Sequence, residues 1–375
     1  MRVNAYLSIP VGDQVSVSHR HNDSPIINNG DNQMAGRKKI SLALQGGGAH
    51  GAFAWGVIDK ILEDGRIEIE AVSGTSAGSM NAVALAAGLT DGTEAARQKL
   101  HDLWHAVSAA GKKFNPLGQL AWQSANPLSN MVSSMATLWF RSVTHSFSPY
   151  QLNPHNLNPL KDVLVSQVDF SRLQDDSGVK LFLAATNVRS GKVKVFGIDE
   201  KITADMVMAS ACLPQLFQAV EIDGEHYWDG GFMGNPVLYP LFYYTESADV
   251  LIVHINPIER PGPPTSADDI LNRVNEITFN SSLIKELRAV HFVQKMMDQG
   301  WIKDEFLDRL KYVLMHSLRA DAALSDLPSS TKFCSDWGFL QMLRDRGRVC
   351  AADWLDKNFD AVGVRSSVDI TTEFL

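Results

Sequence analysis

The sequence is short of cysteine, of long apolar runs and of basic residues, and each shortage excludes a class of protein. Its only cysteines are Cys212, Cys334 and Cys350, an odd number without a C-x-x-C pair, which argues against a disulfide scaffold or a zinc site. We therefore expect reduced thiols in a cytoplasmic compartment. No 18 consecutive residues are apolar, so we expect any membrane contact to be peripheral. Acidic residues outnumber basic ones by 42 to 34, which argues against a nucleic-acid partner.

The remaining composition is that of a globular protein. Of the 375 residues, 45% are hydrophobic and 20% are charged, which is enough apolar material for a sizeable core. Residues 1–36 are rich in Asn, Asp, Ser and His and lack the apolar run of a signal peptide. We interpret them as a flexible extension that precedes one α/β domain over residues 37–375, whose C-terminal part at 265–375 is mostly helical.

The predicted domain opens with the order strand, helix, strand, helix. The segments at 40–44 and 67–74 have the length and composition of buried strands, and segments with helical composition and spacing follow them at 52–62 and 76–89. Such βαβα units build parallel sheets whose functional loops lie at the carboxyl ends of the strands. Both of these loops are rich in glycine.

The second loop, Gly74-Thr75-Ser76-Ala77-Gly78, fits the pattern G-x-S-x-G. In a nucleophile elbow the serine occupies a sharp, strained turn that exposes its hydroxyl, and the flanking glycines avoid clashes with the backbone nearby. A serine in this place can also simply cap the helix that follows. The strand before the loop and the Ala-rich helix after it favour the nucleophile.

The first loop, GGGAHG at residues 46–51, presents successive backbone N–H groups at the start of a helix, as anion-binding sites do. Gly46, Gly48 and Gly51 also satisfy the dinucleotide pattern G-x-G-x-x-G, with Glu70 near the end of the next strand. The other anion to consider is the oxyanion of an acyl-transfer intermediate. We favour the oxyanion because only one helix and one strand separate this loop from Ser76.

A serine hydroxyl is a poor nucleophile until a base accepts its proton. Three candidate bases follow in the sequence: Asp229, which precedes two glycines, His254, which ends an apolar strand, and His291, on a predicted helix. Histidines on strands and helices are more often structural. The residues alone leave the choice of base open.

With these motifs in place, the sequence resembles the patatin-like phospholipases. Over residues 40–239 it has that family's glycine-rich stretch, G-x-S-x-G elbow and D-G-[AG] in the right order, and Ala209–Phe217 resembles a further family segment. The resemblance implies a three-layer α/β/α fold with a mainly parallel sheet and a dyad of Ser76 as nucleophile and Asp229 as base, without metal or organic cofactor. It also implies an oxyanion hole and a set of supporting glycines. The oxyanion residues are Gly46, Gly47, Gly48 and Ala77, and the supporting glycines are Gly51, Gly74, Gly78, Gly230 and Gly231.

The dyad makes a physical demand on Asp229. The ordinary pKa of an aspartate is near 3.9, which makes it a weak base for a serine unless the site is partly dry. We therefore predict that Asp229 lies within hydrogen-bond reach of Ser76 in an apolar-walled cleft. His50 departs from the family, which most often has Lys or Arg there, and we assign it no catalytic role.

Residues 114–140 contain no charged side chain, and apolar residues recur there at helical spacing. This segment fits a lid or an interfacial helix that meets acyl chains, and it fits a core helix equally well. The residues of interest are Trp122, Met131, Met135 and Trp139.

The resemblance implies a serine esterase that cleaves fatty-acyl esters of phospholipids or lysophospholipids, with a lipid substrate and peripheral membrane contact. A carboxylesterase, a polyester depolymerase or an acyltransferase would use the same dyad. From another class, a Rossmann-like nucleotide-binding regulator remains open. No pattern specifies the headgroup, the chain length, the position cleaved, the oligomeric state or the physiological trigger.

Overall fold

The computed structural model describes residues 36–114, 147–173, 178–307 and 309–375. Its strands are β1 (Lys38–Leu44), β2 (Ile67–Gly74), β3 (Lys180–Asn187), β4 (Val193–Phe196), β5 (Val220–Ile222), β6 (Glu225–Asp229), β7 (Asp249–His254) and β8 (Leu314–Arg319). They form one sheet in the order β5-β6-β3-β2-β1-β7-β8, and β4 pairs with β3.

The sheet is parallel in its centre and antiparallel at one edge. Strands β3, β2, β1, β7 and β8 run parallel, whereas β4 and β6 pair antiparallel with β3, and β5 pairs antiparallel with β6. Parallel strands are covered on both faces and therefore consist largely of apolar residues. In β1 every residue from Ile40 to Leu44 is buried. The predicted α/β fold with a mainly parallel sheet is confirmed.

Helices cover both faces of the sheet. They are α1 (Gly51–Asp64), α2 (Ala77–Leu89), α3 (Thr93–Phe114), α4 (Pro149–Leu152), α5 (Pro159–Gln167), α6 (Ala204–Ser210), α7 (Tyr239–Tyr243), α8 (Ala267–Asp298), α9 (Asp304–Leu307), α10 (Trp337–Asn358) and α11 (Ile370–Phe374). Leu42 and Leu44 of β1 join one apolar core with α1, α2, α3 and α10. Ala43 joins a second core with α7, α8 and α11 on the opposite face, because successive strand residues point to opposite sides.

The predicted C-terminal helix packs as an outer layer on the first helix. A Cβ atom on Gly56 of α1 would collide with the carbonyl oxygen of Arg344, and one on Gly347 of α10 would collide with that of Phe53. The two helices therefore touch backbone to backbone, which only glycine permits. The α1 helix, which follows the first glycine-rich loop, is held between this layer and the sheet.

Two predictions fall on parts of the chain outside the described ranges. Trp122, Met131, Met135 and Trp139 are among these residues, so the proposed lid stays a prediction. Residues 1–35 of the predicted extension also lie outside the described ranges, so the extension stays a prediction. Within the described ranges, no helix combines the length and the apolar character needed to cross a membrane.

Candidate active site

Ser76 lies in a sharp turn between β2, which ends at Gly74, and α2, which begins at Ala77. Its backbone has φ 55° and ψ −121°, a left-handed conformation that is strained for any residue with a Cβ. The side chain makes no capping hydrogen bond to its helix, so the alternative interpretation of Ser76 as a simple cap is wrong. A Cβ on Gly78 would collide with the carbonyl oxygen of Leu44, which explains the glycine after the serine.

Asp229 is the last residue of β6, and β6 pairs antiparallel with β3. Its side chain is 2% exposed. One carboxylate oxygen accepts the backbone N–H of Gly231 at 2.7 Å. Burial raises the pKa of Asp229 to about 6, against the opposing effects of the Gly231 N–H and of the nearby Ser76 side chain. The Asp229 carboxylate is therefore shielded from water and lies near Ser76.

The first glycine loop lies beside the serine. A Cβ on Gly46 would be 2.7 Å from the Cβ of Ser76, and the chain then forms a 3-10 turn over Gly48–His50 with a positive φ of 60° at Gly48. Within the part of the chain that the structure describes, no acceptor takes the backbone N–H groups of Gly47, Gly48 and Ala77. These three groups are available to an oxyanion.

The backbone N–H of Gly46, unlike those of Gly47, Gly48 and Ala77, has an acceptor within the protein. It donates to the Asn235 side-chain oxygen at 2.7 Å, so it is not free to bind a ligand. The prediction of Gly46 as an oxyanion donor is corrected on this ground: the residue supports the turn, because its amide has a protein acceptor.

A buried network of side-chain amides holds the first glycine loop in place. No sequence pattern predicted this network. The Gln45 side-chain oxygen accepts the backbone N–H groups of Ile255 and Asn256 at 2.8 and 2.9 Å. Asn256 in turn donates to the carbonyl of Gly46 at 2.8 Å and accepts the ammonium of Lys332 at 2.8 Å. The turn is thus held by the end of β7 and by a cation from the C-terminal part of the chain.

The strained backbone at Ser76 has its own support. The side-chain oxygen of Ser210, at the end of α6, accepts the Ser76 backbone N–H at 3.0 Å. The Thr75 hydroxyl donates to the carbonyl of Gly234 at 2.7 Å, which connects the elbow to the segment after Asp229. Ser210 lies inside the segment Ala209–Phe217 that contributed to the family resemblance, and this was its only signal in the sequence.

His50 is buried and neutral. Its Nε2 lies 2.8 Å from the Thr331 hydroxyl, and burial together with the nearby Lys332 lowers its pKa to about 3. The imidazole therefore supports the first turn of α1 without contributing charge to the site.

The other candidates for the base and for a dinucleotide site lie elsewhere. His254 is fully buried against the ring of Phe374, and His291 lies next to Thr371. Glu70 is in the middle of β2, not near its end, and its carboxylate accepts the backbone N–H groups of Glu246 and Ser247. Glu70 is therefore not available to bind the ribose of a dinucleotide, which argues against the dinucleotide interpretation.

Across the described ranges, no group of three or more His, Cys, Asp or Glu side chains is arranged to hold a metal ion. The residues gathered at the two glycine loops supply a hydroxyl, a carboxylate and backbone N–H groups. This set can attack a carbonyl carbon, accept a proton and stabilise an oxyanion.

Comparisons with known proteins agree with this chemistry at the level of the family. A family model described as patatin-like phospholipase matches residues 42–241, more than half of the chain. No curated protein matches the chain.

Among solved structures, VipD from Legionella pneumophila aligns at 16% identity and a TM-score of 0.37, over 86% of this chain and 67% of VipD. Full-length ExoU from Pseudomonas aeruginosa, solved with SpcU, aligns at 15% identity and a TM-score of 0.31, over 86% of this chain and 53% of ExoU. The chain thus spans about half the length of ExoU, and similarity at this level carries no argument about activity.

Proposed function

Because the chain belongs to the patatin-like phospholipase family, we propose that it hydrolyses fatty-acyl esters of phospholipids or lysophospholipids, with Ser76 as the nucleophile and Asp229 as the base. Membership of the family supports a lipid acyl hydrolase. We further propose the Ser76-Asp229 dyad, the phospholipid or lysophospholipid substrate and contact with a membrane.

In the acylation step the Ser76 hydroxyl oxygen attacks the ester carbonyl carbon while Asp229 takes the hydroxyl proton. The backbone N–H groups of Gly47, Gly48 and Ala77 donate to the oxygen that becomes negatively charged. The tetrahedral intermediate collapses, the bond to the alcohol breaks, and the proton on Asp229 passes to the departing alkoxide. Ser76 is left carrying the acyl group.

In the second step a water molecule attacks the acyl carbon and gives its proton to Asp229. The bond between the acyl group and the serine oxygen breaks, Asp229 returns the proton to that oxygen, and the fatty acid leaves. If an alcohol takes the place of water, the same site transfers the acyl group, and product analysis with added glycerol or lysolipid distinguishes the two outcomes.

One observation carries the proposal: the partly exposed Ser76 lies near the buried Asp229, whose pKa burial raises to about 6. A carboxylate with this pKa is a far better proton acceptor than an ordinary aspartate and is still ionised at neutral pH. The strained backbone of the serine gives independent support, because such strain is concentrated at functional sites.

The test is fluorophosphonate labelling of the wild type, Ser76→Ala and Asp229→Asn, followed by hydrolysis of a phospholipid and lysophospholipid panel. We expect labelling and hydrolysis to vanish in Ser76→Ala and to fall at least a hundredfold, about the contribution of a general base, in Asp229→Asn. Ser79→Ala is the matched control, since its hydroxyl lies one turn along α2 and donates to the Ser76 carbonyl. Labelling that persists in Ser76→Ala would refute the assignment.

A further inference from the structure

The outer face of α8 carries apolar side chains that no other described residue covers. Ile270, Val274 and Ile277 follow one another at positions i, i+4 and i+7, which places them on one side of the helix. They are 46%, 53% and 55% exposed. Leu271 beside them is 52% exposed. Single exposed apolar residues are ordinary, but a contiguous row of them indicates an interaction surface.

The same face continues toward the end of the helix with cations. Lys285, Arg288 and Lys295 lie 8, 11 and 18 positions after Ile277, spacings that return to the same side of an α-helix. In the described ranges, none of the three has a carboxylate partner. We call the row from Ile270 to Lys295 the α8 stripe.

The two glutamates of α8 are occupied on other sides of the helix. Glu276 is buried and pairs with Arg260 and Arg273. Glu286 accepts the backbone N–H groups of Leu238 and Tyr239 at the start of α7. The positive charge of the stripe is therefore local, in a chain whose net charge is −8.

A cavity of about 290 Å³ opens where the apolar and cationic parts of the stripe meet. Its walls combine three isoleucines, two polar side chains and three cations, a mixture that suits an anionic group joined to an apolar body. The lining residues are Ile258, Arg273, Ile277, Asn280, Ser281, Ile284, Lys285 and Arg288.

The helix that carries the stripe also forms a wall of the candidate active site. On its inner side the ring of Phe279 packs edge-on against Phe232 with centroids 5.5 Å apart, in the turn that follows Asp229. A Cβ on Gly231 would be 3.3 Å from the same Phe279 ring. Whatever binds the stripe is therefore held one helix away from the catalytic carboxylate.

We propose that the α8 stripe docks the protein on a membrane containing anionic phospholipid, with Ile270, Val274 and Ile277 inserted at the acyl boundary and Lys285 and Arg288 binding a lipid phosphate. Apolar area and local cations are the two contributions that drive peripheral binding to such membranes. A nucleic acid would contact the cations but not the apolar side chains of the α8 stripe. The biological reason for this docking rests on the proposed function, because a lipid hydrolase must reach lipid.

The experiment is co-sedimentation of the full chain with vesicles of phosphatidylcholine alone and of phosphatidylcholine with phosphatidylserine. We expect tighter binding to the anionic vesicles, weakened by salt. Lys285→Gln/Arg288→Gln should weaken that binding about tenfold or more. Ile270→Ser/Val274→Ser/Ile277→Ser should weaken binding to both kinds of vesicle.

Matched controls carry the same chemical changes at exposed positions away from the stripe. Lys192→Gln/Arg365→Gln removes two charges, and Val165→Ser/Val349→Ser removes exposed apolar side chains. Both controls should bind vesicles like the wild type. Hydrolysis of a short-chain soluble ester should be unchanged in the stripe variants, which shows that they are folded and that the site is intact.

The two proposals fail separately. Equal binding of the anionic vesicles by the wild type and the charge variant overturns the docking surface, as does absence of vesicle binding or saturable binding of a protein partner that excludes the vesicles. A Ser76→Ala chain that binds vesicles normally without hydrolysing them supports both proposals. A wild-type chain that binds through the stripe but hydrolyses no lipid keeps the surface and removes the proposed function.

Discussion

Two clusters in the molecule each contain a serine and a carboxylate, and they differ in the backbone of the serine and in the hydrogen bonds around it. In one, Ser76 and Asp229 meet beside the glycine loops. In the other, the imidazole of His316 on β8 lies between Asp249 and Ser367, with Nε2 2.9 Å from the carboxylate and Nδ1 2.9 Å from the serine hydroxyl. Judged by residue types alone, the second cluster is the better match to a Ser-His-Asp triad.

The hydrogen bonds of the second cluster indicate a structural role. His316 is 0% exposed, and the Asp249 carboxylate also accepts the backbone N–H of Gly363 at 2.7 Å. The backbone N–H of Ser367 donates to the carbonyl of Met315. These hydrogen bonds join β7, β8 and the C-terminal segment.

Under the proposed function, a strained backbone and free backbone donors distinguish the reactive serine, whereas a basic group nearby is common to both clusters. Ser76 has a strained backbone, and the backbone N–H groups of Gly47, Gly48 and Ala77 have no acceptor among the described residues. Ser367 is not among the residues with a positive φ. Its neighbourhood is a satisfied hydrogen-bond network of the kind that specifies a fold.

The sharpest test of the comparison exchanges one carboxylate for an amide in each cluster. Asp229→Asn should lower kcat for lipid hydrolysis by at least about a hundredfold, because an amide accepts no proton at neutral pH. Asp249→Asn should leave kcat within about twofold and should lower the free energy of unfolding by about 2 kcal/mol, the size of a hydrogen bond to a charged group. Steady-state kinetics and urea denaturation measure the two effects.

If Asp249→Asn removes activity while the protein stays folded, the two clusters have been assigned the wrong way round. Normal activity in Asp229→Asn, with labelling at Ser76 intact, would show that Asp229 is not the base.

The pH dependence of stability tests the burial of Asp229 in the first cluster. Folded Asp229 keeps its proton up to about pH 6, whereas the unfolded chain releases it near pH 4. The folded state binds more protons in that interval, so rising pH lowers the free energy of unfolding, by about 3 kcal/mol in total. Asp229→Asn lacks this loss and should be about 3 kcal/mol more stable than the wild type above pH 6, with no difference below pH 4.

Urea denaturation of both proteins at pH 4 and pH 8 measures this difference, and other titrating groups cancel between them. A difference that is the same at both pH values would mean that Asp229 is not held in a dry site.

Much of the fold was predictable because it follows from local periodicity. The apolar runs at β1 and β2 and the glycine loops after them can be recognised from neighbouring residues. The approach of Asp229 to Ser76 is not local: it depends on β6 pairing antiparallel with β3, next to β2. Only the resemblance to a family connected these two residues in the sequence.

The supporting residues of the site could not be predicted for the same reason. Asn235, Asn256 and Lys332 have no pattern around them, and each gains its role from contacts across more than 70 positions of the chain. Asn235 also accounts for the error at Gly46, since a glycine motif does not state which of its N–H groups a distant side chain will occupy.

This amide network provides a smaller test within the reactive cluster. Asn256→Leu removes the donor to the Gly46 carbonyl, and Lys332→Met removes the ammonium that holds Asn256 in place. Each should lower kcat by about tenfold, because the proposed oxyanion donors beside Gly46 lose their position. The double variant should lose little more than either single one, since the two residues act through one chain of hydrogen bonds. Fully additive losses would show that Lys332 and Asn256 act separately.

The smallest effect is expected from Ser367→Ala. The substitution removes one hydrogen bond to His316 and leaves the bond between His316 and Asp249 in place, so the free energy of unfolding should fall by about 1 kcal/mol. Fluorophosphonate labelling and kcat should equal those of the wild type, because the proposed nucleophile is Ser76. A loss of labelling in Ser367→Ala, with Ser76 unchanged, would make Ser367 the nucleophile, with His316 and Asp249 as its partners.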